Sequence, residues 1–184
     1  MENQKLGQIE TITLGGGCFW CLEAVYDRCD GVVDVESGYC NGSVQRPTYE
    51  QVCGGRTGHA EVVRLRFDAQ RISLRELLEI FFVIHDPTTL NRQGNDRGTQ
   101  YRSGIYYEQA AQQAVAAQVL AELQASGRYR DPIVTELLPL ANYWPAEDYH
   151  QDYFLNHPEQ GYCAYVVAPK LEKFLHTFAN RVKS

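Results

Sequence analysis

Of the 184 residues, 44% are hydrophobic and 22% charged, a balance that excludes collagen-like, fibrous and intrinsically disordered chains. Lys plus Arg number 17 against 23 Asp plus Glu, a formal net charge of -6, and no basic block is present, so nucleic acid and anionic membranes are poor partners. No apolar run reaches the length of a bilayer span.

The start, residues 1–10, is polar and lacks an apolar signal region, so the expected location is cytoplasmic. The length suits a single domain over residues 1–184, with a monomer as the default state. Six cysteines stand at positions 18, 21, 29, 40, 53 and 163. In a reducing compartment they are free thiols, metal ligands or catalysts rather than a disulfide framework.

In chain order, residues 9–14 form a β-prone run that stops at Gly15, Gly16 and Gly17. The period then changes: Phe19, Leu22, Val25 and Tyr26 share a helical face that Cys29 continues, and Asp30-Gly31 closes the helix. Residues 32–39 read as a strand and 41–49 as a polar loop. Residues 59–67 read as a second strand, with Ala60, Val62, Leu65 and Phe67 set against Arg64 and Arg66. Ser73 and Glu76 make a capping box that opens a helix through about Ile84. Residues 88–98 are polar and too long for a plain turn. A strand at 104–107, an Ala/Gln-rich helix at 108–126 and a strand at 133–138 follow. An aromatic, His-bearing helix is expected from about Ala146 to His157, and a final one at 170–181. This alternation favours an α/β (α+β) two-layer sandwich on one mixed sheet with flanking helices.

The chemistry concentrates at residues 15–21. Glycines allow a sharp turn and close approach, and the helix after them offers unpaired N–H groups and a positive dipole end. A cysteine there is expected to gain thiolate character, its pKa lowered by about one unit or more. Cys18 is therefore the candidate nucleophile. Cys21, three residues on, can close a local disulfide with it. Cys29, Cys40 and Cys53 read as buried packing residues. Haem attachment would need His where Leu22 stands, and a structural zinc site would need a second ligand pair. The glycines are no phosphate loop, since no Gly-Lys-Ser/Thr follows. No metal, flavin or nucleotide cofactor is implied. Phe19 and Trp20 are either core residues or an apolar wall for a methyl or thioether group.

Gly17-Cys18-Phe19-Trp20 resembles the active-site signature of the type A peptide methionine sulfoxide reductases. Further blocks in the family's order support the resemblance: Gly38-Tyr39, Pro47-Thr48-Tyr49 with Val52-Cys53, residues 57–61, His85-Asp86-Pro87-Thr88, residues 92–103, and Tyr143 with Ala146-Glu147 and Tyr149-His150-Gln151. The resemblance implies a ferredoxin-like core and reduction of the S epimer of methionine sulfoxide, free or in peptides and proteins, each epimer having its own enzyme. It places the nucleophile at Cys18, the essential carboxyl at Glu61, two active-site phenols at Tyr49 and Tyr101, the methyl pocket at Phe19 and Trp20, and an acidic substrate-side position at Asp96. His59 and His150 stay outside this set as structural residues.

Cys21 departs from the commonest pattern, which has Gly there, and belongs to a variant within the family. Cys163, in Gly161-Tyr162-Cys163, resembles the C-terminal resolving position and is expected in a loop able to swing over the site. Both Cys21 and Cys163 are expected to take part in resolving the oxidised Cys18, with thioredoxin as the implied reductant. Two rival readings are a general thiol-disulfide oxidoreductase using Cys18 and Cys21, indifferent to Glu61, and a non-catalytic module that binds Met-containing peptides without needing Cys18.

Overall fold

The computed structural model describes residues 8–184; positions 1–7, most of the polar start, lie outside it. Strand β1 (Ile9–Gly15) runs through the middle of a six-stranded sheet, antiparallel to β3 (Ala60–Asp68) on one side and β6 (Gly104–Tyr107) on the other. Its register pairs Ile12 with Leu65 and Leu14 with Val63, so apolar side chains meet on one face, as the two-residue period of strands requires. Beyond β3 lie β2 (Val32–Cys40) and the two-residue β8 (Trp144–Pro145). Beyond β6 lies β7 (Glu136–Pro139), the one parallel neighbour.

The order β6-β1-β3-β2, with α1 (Phe19–Asp27) between β1 and β2 and α3 (Leu74–Ile84) between β3 and β6, is the ferredoxin-like split βαβ expected from the resemblance. β6 and β7, being parallel, need a long crossover, and α4 (Ala110–Ala125) supplies it. The main core, with Leu14, Leu65, Phe67, Leu77, Phe81 and Phe174 all fully buried, lies between the sheet and its helices. A small second cluster on the other face joins Cys40, Ala60, Val62 and Tyr106 under Leu140 and Tyr143.

The glycine turn after β1 is packed from behind by the end of α3. A Cβ on Gly16 would lie 3.0 Å from the Phe81 ring, and Gly17, at φ +90°, would push one to 2.7 Å from the Gln93 side chain. Ser73 and Glu76 do form the expected capping box of α3.

Other expectations shift. The loop at 41–49 ends in a short helix, α2 (Tyr49–Cys53), opened by a capping box of Thr48 and Gln51. The polar stretch at 88–98 contains a hairpin of β4 (Arg92–Gln93) and β5 (Asp96–Arg97), followed by a 3-10 turn at Thr99–Tyr101. The strand expected at 133–138 starts only at Glu136. The helix expected from Ala146 to His157 is broken into a 3-10 turn (Asp148–His150) and α5 (Tyr153–Asn156), because Asp152 adopts a left-handed backbone at φ 55°. The last helix, α6 (Ala168–Thr177), is preceded by a π-helical turn at Cys163–Val167. No helix among the described residues is long and apolar enough to cross a membrane.

Candidate active site

Cys18 is the N-cap of α1, at the mouth of the glycine turn, and is 7% exposed. The first helical N–H groups have no partner within a helix. That of Phe19 donates to Glu61 Oε1 at 3.3 Å. Glu61 sits at the start of β3, on the same face as Val63, Leu65 and Phe67, so the strand period that builds the core also drives this carboxyl under the helix end. Its second oxygen, Oε2, is buried with no hydrogen-bond partner. Burial pushes its pKa up to about 8 against the pull of the Phe19 N–H, with Asp96 adding to the rise. Glu61 is therefore a neutral acid at pH 7.

Cys18 behaves opposite to the sequence expectation. Burial pushes its pKa well above the ordinary thiol value, and Glu61, Cys21 and Asp96 add to that. The Trp20 N–H is the one opposing influence. Desolvation and negative neighbours outweigh the helix terminus, so Cys18 rests as a thiol.

Tyr49 and Tyr101 arrive from separate elements. Tyr49 opens α2, and its backbone N–H donates to Glu147 Oε2 at 3.1 Å, while Tyr39 donates its hydroxyl to the other oxygen of Glu147 at 2.8 Å. The Tyr49 ring stacks on Phe19 at 6.4 Å between centroids. Tyr101 ends the 3-10 turn, which Arg102 holds by donating to Thr99 O (2.8 Å), Gly58 O (2.9 Å) and Glu136 (3.0 Å). Burial first, then the Glu61 charge, raises the pKa of both phenols, so both are hydroxyl donors. Asp96, on β5, accepts the Tyr162 hydroxyl and lies close enough to act electrostatically on Glu61, Tyr101 and Cys18.

The two aromatics after Cys18 differ. Phe19 is fully buried, against Tyr39 (5.7 Å) and His150 (5.1 Å). Trp20 is partly exposed, lies face to face on Tyr153 (3.8 Å, 5°), meets Tyr162 edge-on, and donates its indole N–H to His150 Nδ1 at 3.1 Å. His150 is thus neutral with its proton on Nε2, and burial lowers its pKa.

Cys21 and Cys163 are 1% and 0% exposed. Burial raises the Cys21 pKa to about 11, opposed by Lys170 and the Tyr162 hydroxyl, while Asp96 and Cys163 reinforce it. Cys163 does not sit in a swinging loop: it opens the π-helical turn, its N–H capped by Gln160 Oε1 at 3.0 Å. Cys29 and Cys40 are buried as expected, but Cys53 is exposed, at the end of α2 beside the Tyr49 hydroxyl. All six cysteines are free. Among the described residues no group of three His, Cys, Asp or Glu is arranged to hold a metal.

The structure thus brings Cys18, Glu61, Tyr49, Tyr101, Asp96, Trp20 and Cys21 together around the start of α1, with Phe19 buried among them and the buried Cys163 near Cys21. Sequence reasoning gave no site role to Tyr162, Tyr153 or Glu147. The one available signal was the density of aromatic and acidic residues in 143–162, which says that a surface is built there but not which side chain meets Trp20.

Comparison with known proteins agrees with this geometry. The peptide methionine sulfoxide reductase family matches residues 10–182. The peptide methionine sulfoxide reductase MsrA of Polynucleobacter asymbioticus is 56% identical over 182 residues, 99% of this chain and 96% of that one. The crystal structure of reduced Mxr1 from Saccharomyces cerevisiae superposes with a TM-score of 0.78 at 39% identity, over 85% of this chain and 90% of the other. Mxr1 solved in complex with Trx2 matches 80% of this chain and 86% of that one, with a TM-score of 0.55 and 30% identity. With a buried thiol and a neutral carboxyl meeting at a glycine turn, and this likeness running through nearly its whole length, the chain belongs to the peptide methionine sulfoxide reductase family.

Proposed function

We propose that this protein is a peptide-methionine (S)-S-oxide reductase that repairs the S epimer of methionine sulfoxide, free and protein-bound, in the cytoplasm. The observation that carries the reading is Glu61: a carboxyl neutral at pH 7, with one oxygen fixed by the Phe19 N–H and the other unpartnered, near enough to Cys18 to act on its thiol electrostatically.

An oxide ion is too basic to leave, so the sulfoxide oxygen must be protonated as it departs. In the proposed complex the substrate methyl lies against Trp20, backed by Phe19, with Asp96 toward the substrate backbone. The oxygen faces Glu61, Tyr49 and Tyr101. Cys18 Sγ bonds to the sulfoxide sulfur, Glu61 gives its proton to the oxygen, and the thiol proton passes to Glu61. The sulfur–sulfur bond then breaks as the hydroxyl moves to Cys18. One sulfoxide and one thiol become one thioether and one sulfenic acid, and Glu61 ends as it began. The two hydroxyls stabilise charge on the oxygen in flight.

The sulfenic acid condenses with a second thiol, releasing water and forming a disulfide. Cys21 is the local partner, with a small closure cost, and Cys163, electrostatically linked to Cys21, accepts the disulfide next. Thioredoxin returns the chain to the dithiol, itself becoming oxidised, a role supported by the Mxr1 complex with Trx2. A general disulfide exchanger has no departing oxygen for Glu61, Tyr49 and Tyr101 to protonate and hold, and a Met-binding module has no use for the thiol.

The test is dithiothreitol-driven turnover of the separated S and R epimers of N-acetylmethionine sulfoxide by wild type and Cys18→Ser. The S epimer alone is expected to react, and only with wild type. A folded, reduced wild type inert to both epimers would overturn the reading.

A further inference from the structure

Glu23 carries a buried carboxyl group with no part in the chemistry above. It lies in the second turn of α1, three residues after Trp20 and so on the same side of the helix, and is 3% exposed. No cation pairs with it among the described salt bridges. Instead it accepts the hydroxyl of Ser37, a fully buried β2 residue, at 2.9 Å, and faces the backbone N–H groups of Asp152 and Tyr153. Burial raises its pKa to about 7, the Ser37 hydroxyl opposes the rise, and the Asp152 carboxylate adds to it. A polar group buried in this way is costly unless its partners repay the desolvation, and an apolar side chain would fill the space at less cost. Ser37 belongs to β2, while Asp152, which lines a small cavity together with Glu23, belongs to a segment that bears directly on Trp20.

That segment is tied down by a short chain of polar contacts. Gln151 pairs with both backbone groups of Ser37, accepting from its N–H at 3.0 Å and donating to its carbonyl at 2.9 Å, and donates a further bond to Ala146 O at 3.1 Å. Asp152 follows in a left-handed conformation, which a non-glycine residue holds only when its surroundings enforce it. On either side of this lock stand the two residues that grip Trp20: His150, which accepts the indole N–H, and Tyr153, which covers the ring face.

We propose that Glu23 is a positioning residue: by joining Ser37 to the backbone at Asp152 and Tyr153, it holds His150 and Tyr153 against Trp20 and so fixes the plane of the indole wall. This rests on the proposed function only in taking Trp20 as the surface that meets the substrate methyl. Glu23 touches neither substrate nor reacting atoms, and its loss should act on binding rather than on the sulfur chemistry.

The test uses the full chain in a Trp144→Phe background, so that Trp20 is the single tryptophan reporter. Glu23→Gln keeps the size of the side chain and weakens its acceptor capacity. It should raise acrylamide quenching of Trp20 about two-fold and shift its emission to the red. It should also raise KM for the S sulfoxide by about five-fold while kcat stays within about two-fold, the pattern of lost uniform binding. Ser37→Ala, which removes one bond and leaves the carboxyl group, should move both readouts in the same direction by less, and it serves if Glu23→Gln does not fold. Glu23→Asp should recover part of the quenching protection. Unchanged quenching in Glu23→Gln and Ser37→Ala overturns the proposal, as does a fall in kcat with unchanged quenching. A wild type with no sulfoxide reductase activity would remove the proposed function, while quenching would still decide whether Glu23 holds the indole.

Discussion

Glu61 keeps its proton up to about pH 8 because water is excluded from it, and that same exclusion makes Cys18 a thiol at rest. The unfolded chain releases the Glu61 proton near pH 4.5 and the folded chain near 8, so between those values the folded state binds more protons. Stability contributed by this group is therefore full below about pH 4.5, falls as pH rises through the window and levels off above 8. Glu61→Gln keeps the acceptor for the Phe19 N–H without the titration. It should lose about 10²- to 10⁴-fold in the rate of methionine release in a single turnover. Against urea it should gain on wild type between about pH 5 and 8 and hold that gain above 8. Parallel stability curves for the two proteins would show that the carboxyl is not buried as described. A lone Glu on a strand reads as solvated, so the role of Glu61 as the essential carboxyl came with the family resemblance rather than from its own position in the sequence. The period-two pattern through Val63, Leu65 and Phe67 does point it inward, but the blur of buried residues on both faces at Ala60 and Val62 hides that period.

At the scale of elements, the site depends on short pieces of structure. α2 places Tyr49, the turn at Thr99–Tyr101 places Tyr101, the β4–β5 hairpin places Asp96, and the π-helical turn holds Cys163. The Thr48–Gln51 capping box was legible in principle, being a Thr-x-x-Gln motif before Val52. The π turn and the break at Asp152 were not, because each follows from tertiary contacts rather than local propensity. Cys163 is shut away, so an external dithiol reaches it only after the turn loosens. Cys21→Ser and Cys163→Ser should both slow steady-state turnover with thioredoxin by about ten-fold or more while the first methionine is released at the wild-type rate. Normal thioredoxin-driven turnover by each single variant would contradict participation of both cysteines.

For the whole molecule, the longer strands β1, β2, β3 and β6 and the helices α1, α3, α4 and α6 follow from patterns that one sequence displays well: alternation, capping boxes and glycine stops. Strand order came only with the resemblance, since nothing local says that β1 lies between β3 and β6. The fold's service to the site is to press α3 against the glycine turn. Phe81, fully buried, touches Gly16 and stacks on His85 at 3.9 Å. Phe81→Ala should cost about 3–5 kcal/mol in chemical denaturation and loosen the turn that presents Cys18. A loss below about 1 kcal/mol would mean that the turn is held by something else.

The central claim is that Cys18 takes the oxygen. The most direct measurement is a single turnover of the Cys21→Ser/Cys163→Ser double variant with excess S-epimer sulfoxide and dimedone, read by mass spectrometry of the intact chain and its peptides. The account predicts one methionine released per chain and one dimedone adduct, on Cys18. Methionine release without an adduct, an adduct on another cysteine, or no release from a folded and reduced chain would contradict it.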